Sequence, residues 1–109
     1  VQTCALPISL NHRGESISSR PLSASETVSG QMTLVAWNYT LTGPTPAGLR
    51  VRLCSLTRCA EIEGQSGITQ AFNGVSAQEP LRFIWEVPGG GRLIPALKVQ
   101  RNEVLVNYR

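Results

Sequence analysis

The chain has 109 residues, 41% apolar and 16% charged, with a formal net charge of +3. That is one domain's worth of sequence, too apolar for a disordered chain and too short for a multidomain enzyme. The charge comes from nine Arg and one Lys set against seven Glu and no Asp, so aspartate chemistry is absent and the basic excess is too small and too interspersed to suggest nucleic-acid binding. No apolar run reaches the roughly eighteen residues of a membrane helix.

The first eight residues, VQTCALPI (Val1 to Ile8), translate smoothly from GTT CAG ACG TGT GCT CTT CCG ATC, which resembles a common sequencing adapter read into the open frame. They are expected to be an artefact, leaving one domain over 9–109. The alternative is a genuine N-terminal strand, with Pro7 suited to a sheet edge. No basic stretch followed by an apolar core and a cleavage site opens the chain, so a secretory signal, if the protein is exported, is expected to have preceded it.

Next comes Ser16 to Ser29, whose serines and Pro21 suit an irregular loop or an edge segment. Val28 to Leu41 reads as an inner strand. Thr33, Val35, Trp37, Tyr39 and Leu41 share one parity, Met32, Leu34 and Ala36 the other, and apolar residues on both faces mark a strand covered on both sides. GPTPAG stops it. Leu49, Val51 and Leu53 then alternate with Arg50, Arg52 and Cys54, and Cys59 to Gly64 reads as a return strand. ITQAF (Ile68 to Phe72) is a further strand, followed by turn chemistry. Leu81, Phe83, Trp85 and Val87 are expected inward, with Arg82 and Glu86 outward, until PGGG (Pro88 to Gly91) ends that strand. The tail, ALKVQ and VLVNY around Arg101, Asn102 and Glu103, carries a tight-hairpin signal.

Seven or eight short strands with turns about every ten residues describe an all-β fold, an antiparallel β-sandwich or small barrel. No stretch keeps an apolar stripe at helical spacing.

The sharpest local signal is CSLTRC, Cys54 and Cys59 with four residues between. Residues flanking such a hairpin loop face each other near the separation that a disulfide requires, so a bridge is expected. Free thiols and half of a zinc site are the alternatives. The metal reading needs four ligands, and only His12 and Cys4 remain to supply them. A disulfide places the protein in an oxidising compartment, the periplasm or outside the cell.

Catalytic constellations are missing. The single histidine, His12, lies near the chain start with no recognisable nucleophile or orienting group. Glu61 with Glu63, and Glu86 with Glu103, read as solvated strand faces. Gly89, Gly90 and Gly91 lack the lysine and the following helix of a phosphate loop, leaving a tightly turned loop. No catalytic, metal or cofactor site is therefore expected. Binding remains. Arg50, Arg52 and Arg82 fall on outward parities of neighbouring strands and form a candidate interaction surface for carboxylates. Trp37 and Trp85 share parity with core residues, which argues against a sugar-stacking platform.

The strings SLNHRGESISSRPLS, GPTPAGLRVRLCSLTRC and EPLRFIWEVPGGGRLIPALKVQRNEVLVNYR resemble the flagellar protein FlhE family of enteric bacteria from about Ser9 to the C-terminus. The resemblance implies a periplasmic, non-enzymatic β-sandwich, made from an operon that also encodes membrane components of the flagellar type III export gate. It further implies a role in preventing proton leakage through that apparatus, or as a chaperone that keeps flagella from assembling in the periplasm. Export-gate membrane proteins or rod components would be the partners. No small-molecule substrate and no nucleic acid are expected, and the protein is expected to be monomeric. The alternative function is a periplasmic carbohydrate or cell-wall binding module, since fold alone does not fix function.

Overall fold

Alternating aromatic and β-branched residues suit a pleated surface buried on one face, and the chain accordingly folds into two packed antiparallel sheets. The computed structural model describes residues 2–4, 8–22 and 28–109. Among them there are nine strands and no helix. In chain order these are β1 (Gln2–Cys4), β2 (Ile8–His12), β3 (Ser16–Ser18), β4 (Met32–Thr42), β5 (Arg50–Cys54), β6 (Cys59–Ile62), β7 (Ser66–Thr69), β8 (Arg82–Glu86) and β9 (Arg92–Tyr108). One sheet has the order β1-β9-β4-β7, with β2 also paired to β9, and the other has β3-β8-β5-β6. The all-β sandwich read from the sequence is the observed fold; the strand number exceeds seven or eight because two short N-terminal segments pair with β9.

The core is aromatic at its centre. Tyr39 of one sheet meets Phe83 and Trp85 of the other edge to face, at centroid distances of 5.9 and 5.6 Å. Phe83 stacks on Trp85 at 5.3 Å, and Trp37 lies beside Tyr39. Offset and edge-on pairs of this kind are worth about 0.5–1.5 kcal/mol beyond the area they bury. Val51 stands opposite Trp85 and Leu53 opposite Phe83. All four side chains are buried, as their alternation predicts.

Three sequence expectations are corrected. The C-terminal hairpin is not one: ALKVQ and VLVNY belong to the single 17-residue strand β9. Arg101, Asn102 and Glu103 mark a β-bulge, because Thr40 pairs with Arg101 and Leu41 with Val99, leaving Gln100 unopposed. The extra residue exchanges the two faces of the strand. Val99 and Asn102 are consequently both buried although three positions apart.

A second bulge lies in β4, where Met32 pairs with Tyr108 and Val35 with Val106. It turns Met32 inward in place of Thr33, against the parity expected. Thirdly, β7 ends at Thr69 and Phe72 lies beyond it, in the turn that packs into the core with no exposed surface.

The serine-rich segment supplies the edge strand β3, and Ser19 and Leu22 beyond it are buried; residues 23–27 lie outside those described. Of the first eight residues, Gln2–Cys4 pair with Asn102 to Val104, and Ile8 opens β2.

Asn102 is a polar residue inside the core. It stands opposite Tyr39 with no exposed surface, and neither its Oδ1 nor its Nδ2 has a hydrogen-bond partner among the described residues. An unsatisfied buried amide costs about 1–3 kcal/mol. Asn102→Val should therefore raise the urea midpoint, with a gain of about 1 kcal/mol. A lowered midpoint would show that the amide is stabilising where it lies.

Candidate interaction surface

The cysteine hairpin forms as its spacing predicts. Cys54 pairs with Cys59 across β5 and β6, their Cα atoms are 4.1 Å apart, and a disulfide joins them. Separations of about 4.5 Å are typical of non-hydrogen-bonded pairs. The turn is held from within by Ser55. Its hydroxyl accepts from the Arg58 and Thr57 amides at 3.0 and 3.3 Å, while the Ser55 amide donates to the Arg58 carbonyl at 2.7 Å. From outside, Glu79 Oε1 accepts from the Leu56 amide at 3.0 Å and from the Thr57 hydroxyl at 3.3 Å. Arg58 Nη1 donates to the carbonyls of Ala71 and Asn73, at 2.9 and 3.2 Å. The loop is thus tied to the 71–80 segment on both sides.

Arg50, Arg52 and Arg82 lie on the outer face of the β3-β8-β5-β6 sheet, where their parity puts them. The register adds what parity alone does not. Arg50 stands directly opposite Glu86, and Arg52 opposite Glu61. Opposite charges in cross-strand register attract and reduce each other's outward field. Arg82, in contrast, stands opposite Cys54. The face is a checkerboard over two rows and cationic only in the third.

The glycine loop is a structural turn at the opposite end of the sheet. The Arg13 amide donates to the Gly91 carbonyl at 2.9 Å and the Gly14 amide to the Val87 carbonyl at 2.7 Å. Gly14 has φ +85°, and a Cβ there would sit 2.6 Å from the Gly89 carbonyl oxygen. Only glycine allows this backbone-on-backbone contact between the 13–15 turn and the loop of Gly89, Gly90 and Gly91.

Trp37 and Trp85 are 5% and 0% exposed, so neither offers a face to a sugar. The indole nitrogens of both are buried without a partner among the described residues. Between the two sheets, a cleft of about 480 Å³ opens beside β6, lined by Tyr39, Leu41, Leu49, Val51 and Ile62. Burial pushes the Tyr39 hydroxyl above its ordinary value. It stays neutral at physiological pH, and the cleft combines this phenol and aliphatic carbon with the polar side chains of Thr45, Glu63 and Gln65. Among the described residues no cluster of three His, Cys, Asp or Glu side chains is placed to hold a metal.

Sequence reasoning did not single out Leu56, which is 76% exposed at the tip of the cysteine hairpin. Its signal was a leucine inside a four-residue polar loop, where no core position exists for it.

Comparison with known proteins bears on all of this. A family model described as "Flagellar protein FlhE" matches residues 7–109. The chain is similar to the flagellar protein FlhE of Escherichia coli, with 72% identity over 108 residues, covering 99% of this chain and 83% of that one. It is 68% identical to the Salmonella typhimurium protein of the same name, with the same coverage. Identity to the Yersinia enterocolitica protein is 38% over 100 residues. A solved structure titled "Crystal Structure of FLHE" superposes with a TM-score of 0.92 and 64% identity, covering 100% of this chain and 99% of the other.

Proposed function

This chain belongs to the flagellar protein FlhE family, and on that premise we propose that it is a non-enzymatic periplasmic accessory protein of flagellar type III export and assembly. It acts by binding export-gate membrane proteins or rod components, so as to limit proton leakage, to prevent flagella from forming in the periplasm, or both. The observation that carries this reading is the family match over residues 7–109, whose members bear a flagellar name. The Cys54–Cys59 disulfide supports an oxidising compartment, since such bridges persist there and are reduced in the cytosol. A sandwich with a bridged hairpin offers a fixed surface, and fixed surfaces lose little conformational freedom on binding.

The arginine face supplies the test. Arg50, Arg52 and Arg82 changed together to Ser should leave the fold intact, because Arg50 and Arg82 are exposed and Arg52 is half-buried on the outer face, away from the core, where substitutions usually stay within about 0.5 kcal/mol each. Binding to the flagellar partner should weaken about tenfold as charge-assisted contacts are lost. In cells, motility should fall and proton leakage rise toward the level of the deletion strain. Unaltered motility, leakage and partner capture would remove the face from the mechanism. Capture of rod and gate proteins, run beside binding to purified peptidoglycan, separates this function from a cell-wall module: retention on peptidoglycan alone would overturn it.

A further inference from the structure

The uncompensated row on the outer face of the β3-β8-β5-β6 sheet continues beyond Arg82. Ser18 pairs with Ile84, and the Ser19 amide donates to the Phe83 carbonyl at 2.9 Å. Beyond it the pairing slips by one residue, since Leu22 pairs with Leu81, and the backbone of Arg20 and Pro21 together lies opposite Arg82. Both arginines are exposed, and the row they share continues through Cys54 and Cys59 with no carboxylate in it. The nearby acid, Glu79, is occupied by the Leu56 amide and the Thr57 hydroxyl. Arg58 is turned to the carbonyls of Ala71 and Asn73.

Beside these two cations lies a pocket of about 120 Å³, whose walls include Pro21, Leu56, Pro80 and Leu81 and whose rim is Arg82. A cavity of roughly 150 Å³ holds a benzene ring, so this one takes a single aliphatic side chain. The backbone of Leu56 is held by the disulfide-closed turn and by Glu79, so the hairpin tip that carries this apolar side chain needs little reorganisation to bind.

We propose that this end of the sheet docks an extended segment of a partner protein in which one aliphatic side chain is flanked by carboxylates. The aliphatic group enters the pocket, and the carboxylates meet Arg20 and Arg82 in charge-assisted hydrogen bonds. Charge complementarity selects an acidic partner. The two rows in which an acid stands opposite an arginine, Arg50 with Glu86 and Arg52 with Glu61, argue against a membrane surface, for which clusters of about four to eight cations are usual. The proposal rests on the reading of the protein as a binding module and narrows which part of its surface binds.

The test uses the full, disulfide-intact chain labelled with nitrogen-15 and titrated with the synthetic peptide Gly-Ser-Glu-Leu-Glu-Ser-Gly. Amide shifts should concentrate at Arg20, Leu56, Leu81 and Arg82. Affinity should fall about tenfold in the double variant R20E/R82E, and similarly when the peptide's leucine is replaced by serine. L56S, at an exposed position, should also weaken binding while leaving the urea midpoint unchanged. Equal binding of the peptide with lysines in place of its glutamates would overturn the proposal. So would shifts confined to other surfaces, the absence of any shift at millimolar peptide, or an equal response to phosphatidylglycerol vesicles. None of these outcomes touches the motility and leakage comparison above, so the docking surface and the flagellar role fail separately.

Discussion

Trp85→Ala should lower stability by about 3–5 kcal/mol, the range for truncating a large buried aromatic. Trp85 is fully buried, stacks on Phe83, meets Tyr39 edge to face and stands opposite Val51. Its removal opens a void where the two sheets meet and cancels contacts from both. Single domains are stable by only about 5–15 kcal/mol, so the loss takes a large share of the margin and should depress Tm by more than about 10 °C. Thermal unfolding followed by near-ultraviolet circular dichroism measures it. Trp85→Phe is the control. It keeps a stacked ring and removes an indole N–H that has no partner among the described residues, so it should retain most of the wild-type stability. A Trp85→Ala protein as stable as the wild type would mean that the centre of the core lies elsewhere.

Opening the disulfide should cost about 2 kcal/mol. Cys54 and Cys59 are separated by five positions, and on the chain-entropy model a loop this short restricts the unfolded chain by about that amount. The hairpin has other ties in the Ser55 turn, in Glu79 and in Arg58, so the fold should survive. Urea unfolding with and without a phosphine reductant should give a lower midpoint in the reduced protein at an unchanged slope, the sign of altered stability without altered compactness. Coincident midpoints would show that the bridge is dispensable for stability.

How much of this was legible before folding depends on how far apart in sequence the interacting residues lie. The alternation of Val51 and Leu53 with Arg50 and Arg52, and of Phe83 and Trp85 with Arg82 and Glu86, was plain because GPTPAG precedes the first segment, Pro80 and PGGG flank the second, and neither strand is bulged. The disulfide was legible for the same reason: β5 and β6 are neighbours in chain and in sheet, so a local turn decides their pairing. The tail was not. A polar triplet such as Arg101, Asn102 and Glu103 gives the same signal whether it reverses the chain or sits on a bulge, and β9 continues because β1, β2 and β4 all pair with it. Met32 in place of Thr33 on the inner face has the same origin.

The candidate surface divides in the same way. Parity alone put Arg50, Arg52 and Arg82 outward, but their electrostatic worth depended on which strands lie beside them. Arg50 meets Glu86 across 36 positions of sequence and Arg82 meets Cys54 across 28, in a register to which no local propensity refers. The amino-acid order by itself determined the extended backbone, the inward set of each unbulged strand and the sulfur bridge, because these follow from side-chain period and short loops. Only the tertiary structure decided where β9 bulges, why Asn102 is buried and which arginines lack an opposing acid, because non-local pairing and register follow from the packing of the whole core.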